Sequence, residues 1–145
     1  MKIYIAFLIE NARELDTIRS SYDTLSELVP AHLTLVFPTE LDSLDEDAVE
    51  RFFANTTKRT VSLSGVTGTS DNLMVVTLTS GNDFIIEIHD RLYNDLFSSS
   101  FDARYTFIPH ITVGRFKDKP DLERALVDIG HIRMDSVCLD TVAII

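Results

Sequence analysis

The chain has a single cysteine in 145 residues, Cys138, so no intrachain disulfide can form. Nor is there a cysteine pair at metal-ligand spacing. Cys138 falls among strand-like residues and is expected to be a small buried hydrophobe. Basic residues are scarce: 13 Lys and Arg stand against 23 Asp and Glu, for a formal charge of −10. Nonspecific binding along a nucleic-acid backbone needs clustered cations, so long nucleic acid is not an expected partner. A short or terminal nucleotide in a local pocket is compatible with this charge. The five glycines form no phosphate-cradling loop, so nothing points to triphosphate hydrolysis. No apolar run approaches membrane-spanning length. Ile3 to Ile9 is short, is followed at once by Glu10, Asn11 and Arg13, and lacks a small-residue cleavage site, so it reads as a strand and not a signal peptide. The expected location is cytoplasmic, with no membrane partner.

An apolar share of 45% supplies a real core, and the length fits one domain over residues 1–145. Apolar alternation predicts strands at Lys2–Ile9, Ala31–Phe37, Arg59–Val66, Leu73–Thr79 and Tyr105–Phe116. Pro38 is expected to close the second of these. His131–Ile145 reads as a final strand, or as two split by a bulge near Asp135. Helices are predicted over Ala12–Tyr22 and, from the capping pattern Ser43-Leu44-Asp45-Glu46, to about Asn55. Two more run from Gly81-Asn82-Asp83 to about Phe97 and from Lys119 to a stop at Gly130. The order strand, helix, strand, helix, strand then occurs twice, over approximately residues 1–68 and 72–145. Two such lobes, intertwined, would meet about a pseudo-two-fold axis and leave a cleft between them.

The two copies share one short string. His32-Leu33-Thr34-Leu35 and His110-Ile111-Thr112-Val113 both read histidine, apolar, threonine, apolar. In a strand, residues two apart share a face, so each strand presents an imidazole and a hydroxyl side by side, backed by core. Two imidazoles across a cleft suit general acid–base catalysis, because one can take a proton while the other gives one. Two hydroxyls between them can bond an anionic oxygen. A phosphodiester fits this set, with no nucleophilic side chain, metal or other cofactor required.

With Pro109 before the second histidine and Arg115 five residues beyond it, the pattern resembles the two-histidine (2H) phosphoesterase superfamily. That group includes 2′-5′ RNA ligase-like proteins and cyclic nucleotide phosphodiesterases, and this chain looks like a compact bacterial-type member. The resemblance implies a bilobal α+β fold, with two antiparallel sheets forming a central cleft and helices packed outside. It implies metal-independent hydrolysis or transfer at 2′,3′-cyclic or 2′-5′ phosphodiesters. His32 and His110 would be the acid–base pair, and Thr34 and Thr112 would hold the phosphate. Phe107 matches a position where relatives often carry an aromatic residue and is a candidate substrate contact. Expected partners are a small nucleotide, a cyclic phosphate or a short RNA terminus. The alternative is a binding module that holds a phosphorylated ligand without turnover.

Some candidates depend on local geometry. Arg104, Arg115, Lys117 and Lys119 make a basic island around the second motif. Strict alternation turns Arg115 away from His110, and it reaches the cleft only if the strand bulges near Gly114. His89 is expected on the solvated side of its helix, and His131 at a turn. Tyr4, Phe7 and Tyr105 lie near the predicted cleft strands and could stack on a base, although core packing is the commoner fate.

Overall fold

Residues 1–56 and 59–145 are described by the computed structural model. They form seven strands, β1 (Lys2–Leu8), β2 (His32–Glu40), β3 (Arg59–Gly68), β4 (Leu73–Ser80), β5 (His110–Arg115), β6 (Arg133–Leu139) and β7 (Val142–Ile144). The helices are α1 (Arg13–Tyr22), α2 (Glu46–Ala54), α3 (Asn82–Asp95) and α4 (Lys119–Ile129). All strand pairs are antiparallel, in the order β6-β3-β4-β5-β2-β1-β7. No helix among the described residues is long and apolar enough to cross a membrane.

Two sheets were expected, and the structure has one. Its halves, β6-β3-β4-β5 and β2-β1-β7, join at a single paired position, Leu33 opposite Ile111. Leu33, Leu35, Ile111 and Val113 are all fully buried in one continuous core. The apolar half of each motif therefore draws β2 and β5 together. α1 packs against β5, α3 against β2, and α4 against β3 and β4. The core-facing stripe of α3 is Ile85, Ile88 and Leu92, at the spacing that puts residues on one helix face.

Several boundaries differ from expectation. β2 runs through Pro38 to Glu40, because its register with β1 shifts between Ile3↔Thr39 and Ile5↔Val36 and leaves Pro38 in an irregularity that needs no donor. The Phe37 N–H is taken by the Tyr93 hydroxyl at 3.1 Å. β5 starts at His110, not Tyr105: Pro109 has no N–H, and Tyr105 and Ile108 stand 73% and 60% exposed, with nothing to bury against. α2 is capped by Asp45, whose carboxylate accepts the Ala48 N–H at 3.0 Å, so Ser43 is not the cap. The C-terminal segment is two strands, but the break is at Asp140–Thr141, while Ser136 has a positive φ of 56° inside β6. Cys138 is exposed, because it lies on the outward side of β6, an edge strand, next to buried Leu139.

A bulge in β5 decides where Arg115 points. Val75 pairs with Thr112 and Met74 with Gly114, so Val113 is an extra residue on β5. Leu73 then pairs with Arg115. Leu73 and Val75 share a face, so Thr112 and Arg115 share it too, together with His110, which pairs with Thr77. Glycine suits the bulge, since a Cβ on Gly114 would lie 2.9 Å from the Phe116 ring and 3.0 Å from the Met74 methyl, and those side chains would have to shift.

Two stability outcomes follow from this geometry. Leu33→Ala is expected to cost about 3 kcal/mol in urea unfolding, because it opens a void at the one position joining the halves. Gly114→Val is expected to cost about 1–3 kcal/mol by overpacking. A loss below about 0.5 kcal/mol for either would show that the site can relax around the change.

Candidate active site

One step on either side of the Leu33–Ile111 pair, the antiparallel register sets His32 opposite Thr112 and Thr34 opposite His110. The two histidines and two threonines thus alternate across the seam, on the face away from the buried leucines, isoleucine and valine. Each histidine is fixed in the same way. His32 Nδ1 lies 2.8 Å from the Pro30 carbonyl, and His110 Nδ1 lies 2.7 Å from the Ile108 carbonyl. A carbonyl oxygen only accepts, so Nδ1 must carry the proton in both rings. That tautomer leaves each Nε2 as the atom able to take or give a proton. Among the described residues, neither threonine hydroxyl is engaged by another protein group.

Burial holds the His32 imidazole below its ordinary value of 6.5. The Pro30 carbonyl opposes this, the Arg19 and Arg115 guanidiniums push the same way as burial, and the Asp23 carboxylate pushes back. The Tyr4 ring on β1 lies 5.5 Å from that of His32. Burial raises the Tyr4 hydroxyl above 10.0, against the pull of Arg115 and Arg19.

Arg19, Asp23 and Arg115 form a charged cluster beside His32. Arg19 and Asp23 are buried, at 2% and 5% exposure. Arg19 donates from Nε to Asp23 Oδ2 at 3.1 Å and from Nη2 to the Val29 carbonyl at 2.6 Å. Arg115 Nε lies 3.1 Å from Asp23 Oδ1, but the N–H is not aimed at that oxygen and has no acceptor among the described residues. The contact is therefore one of charge with charge. Sequence reasoning found Arg115 but missed Arg19 and Asp23. The signal was a charge at spacing four from buried Leu15, on the inner face of α1.

The basic island disperses in the fold. Arg104 binds Asp102 at the surface, and this pairing holds the Asp102 carboxyl down to about 2. The Lys119 ammonium lies 3.4 Å from the Thr69 carbonyl. Of the four, Arg115 is the one placed with the motif residues. Phe7 is core, 3% exposed.

Beyond Thr34 and His110 opens an aromatic groove of about 610 Å³, lined by Phe37, Tyr93, Phe101, Tyr105 and Phe107 among others. Phe37 follows Thr34 by three residues, and Phe107 precedes His110 by three. Their rings meet edge to face at 6.2 Å. His89 is at the base of this groove and is not solvated: it is 6% exposed, stacked on Phe107 at 3.9 Å, with Nδ1 2.9 Å from Asp90 Oδ1. Its spacing of four from both Ile85 and Tyr93, each buried, places it on the inner stripe of α3. Among the described residues, no group of three or more His, Cys, Asp or Glu side chains is placed to hold a metal ion.

Known proteins are similar to this chain in sequence and in fold. The chain is 29% identical over 129 residues to a protein of Geobacillus sp. (strain WCH70), covering 84% of this chain and 70% of that protein. It is 30% identical over 115 residues to one of Geobacillus kaustophilus (strain HTA426), covering 76% of this chain and 64% of that protein. Both carry the name "Putative phosphoesterase". The chain thus spans about two thirds of the length of these relatives. The fold is similar to that of E. coli LigT, solved in complex with ATP, with a TM-score of 0.51 at 18% identity over 79% of this chain and 71% of LigT. Residues 7–139 match the model of the 2′-5′ RNA ligase superfamily, and the chain belongs to that family.

Proposed function

We propose that this cleft is the active site of a metal-independent phosphoesterase acting on 2′,3′-cyclic or 2′-5′ phosphodiesters of small nucleotides. The observation that carries the reading is the matched pair of Nδ1–carbonyl bonds, at 2.8 and 2.7 Å, which present Nε2 of His32 and of His110 in the same way on one face. The names of the relatives support the phosphoesterase class. The LigT structure, complexed with ATP, supports a nucleotide as ligand.

In hydrolysis of a cyclic diester, one Nε2 takes a proton from water as its oxygen bonds to phosphorus. The other Nε2, protonated, gives its proton to the ribose oxygen as that P–O bond breaks. The two imidazoles supply both proton transfers, so the step needs no metal. Burial favours neutral His32, the form that accepts a proton. Thr34 and Thr112 donate hydroxyl hydrogens to the non-bridging oxygens, and Arg115 supplies positive charge as negative charge grows on them. The aromatic groove at the Thr34–His110 end takes the base, with Phe37 and the free side of Phe107 as its contacts. The substrate is then a small nucleotide or a short RNA terminus in a protein of cytoplasmic type, not a long RNA backbone.

The reading is tested with 2′,3′-cyclic nucleoside monophosphates. His32→Ala and His110→Ala are each expected to lower kcat about 100- to 10,000-fold with the fold retained. Full activity in the double variant would overturn the mechanism. A variant set that binds the nucleotide, in a wild type with no turnover, would instead favour the binding-module reading. Phe37→Ala is expected to raise KM about fivefold or more while kcat holds, and an unchanged KM would remove the groove from the substrate site. Since His32 must be neutral to accept a proton and burial holds it below its ordinary value of 6.5, the acidic limb of kcat/KM should be centred below pH 6.5. An acidic limb centred above 6.5 would contradict the assignment.

A further inference from the structure

We propose that Asp23 is the positioning residue of the cleft: its carboxylate lodges Arg115 beside the phosphate position and ties the loop before β2 to the bed of His32. This rests on the reading of the cleft as a phosphate site.

One carboxylate touches three separate parts of the chain. Oδ2 receives Arg19 Nε from its own helix at 3.1 Å, and Oδ1 receives the Leu25 N–H at 3.0 Å. Oδ1 also faces Arg115 Nε on β5 at 3.1 Å. Arg19 in turn donates to the Val29 carbonyl at 2.6 Å, and the carbonyl of the next residue, Pro30, holds His32 Nδ1 at 2.8 Å. The cluster therefore runs from α1 through the 23–31 loop to the tautomer-fixing contact of His32.

Its charge does not balance. Two guanidiniums share one carboxylate, so the cluster carries a net positive charge next to His32. A buried structural ion pair is complete with one Arg, which Arg19 already supplies. Arg115 is the surplus cation. Its side chain is 29% exposed and its Nε proton has no acceptor among the described residues, so it is braced by Asp23 without being neutralised. A guanidinium held in this way on the motif face is set to meet a phosphate oxygen.

Position and charge make opposite demands, which gives a clean test. The charged or titratable groups that act on His32 are Arg19 and Asp23 from α1 and its end, and Arg115 from β5; Tyr4 of β1 has its ring beside it. Asp23 alone among them favours the imidazolium. Asp23→Asn removes a negative charge from beside an anion site, so electrostatics alone would tighten anion binding. Loss of positioning weakens it.

The probe is inorganic phosphate, titrated into wild type and Asp23→Asn while the histidine ring signals are followed by NMR, with the amide spectrum reporting the fold. The expected result is phosphate binding at least fivefold weaker in Asp23→Asn, with the His32 midpoint moved to lower pH. In an Arg115→Ala background the same change should have little further effect on phosphate. Should Asp23→Asn fail to fold, Asp23→Glu keeps the charge and displaces the oxygens, and is expected to weaken phosphate binding with the His32 midpoint near its wild-type value. Equal or tighter phosphate binding in the Asp23 variants overturns the proposal, as does a wild-type protein whose histidines ignore phosphate. Phosphate binding that depends on Asp23, in a protein that turns over no cyclic nucleotide, would leave the positioning role standing and remove the catalytic reading.

Discussion

A single paired position, Leu33 against Ile111, joins the two halves of the sheet, and the site depends on it. Both side chains are fully buried, so their removal from water is what holds β2 beside β5. Because strand faces alternate, the same contact that buries Leu33 and Ile111 turns His32 and Thr34 toward His110 and Thr112 on the opposite face. Elsewhere the sheet is zipped along several successive positions. Here it is pinned at one, and the polar halves of the two motifs are gathered around the pin.

The two ends of this face differ in chemistry. At one end stand Arg115, buried Arg19 and Asp23, and the Tyr4 ring. At the other lie Phe37 of β2, Phe107 just before β5, and the aromatic groove they line. The overall charge is −10, while beside His32 two guanidiniums, of Arg19 and Arg115, stand against one carboxylate, so global and local charge are opposite in sign.

Much of this was legible in the chain. The paired motifs, the four helices and the strands up to β4 follow from periodicity, capping and turn residues. The condition for Arg115, a bulge near Gly114, could be stated from alternation alone, and the structure has the bulge at Val113–Gly114. What escaped depends on tertiary context. His89 and Arg19 are polar residues at core spacing, and a polar letter reads as solvent until the partner that buries it is known. For His89 that partner is Phe107, and for Arg19 it is Asp23 and the Val29 carbonyl. Cys138 erred the other way: it sits on the outward face of β6 while its neighbour Leu139 takes the buried one, and the choice of face is set by packing and not by the letter. The number of sheets was out of reach because one hydrogen-bonded position decides between one and two.

The most direct measurement is phosphorus NMR of the four 2′,3′-cyclic nucleoside monophosphates incubated with the protein and excess chelator. With both Nε2 atoms fixed on one face, one taking a proton from water and the other protonating one ribose oxygen, ring opening should give a single monoester isomer. An absence of ring opening with these substrates and with 2′-5′ dinucleotides, or an equal mixture of both isomers, would contradict the account.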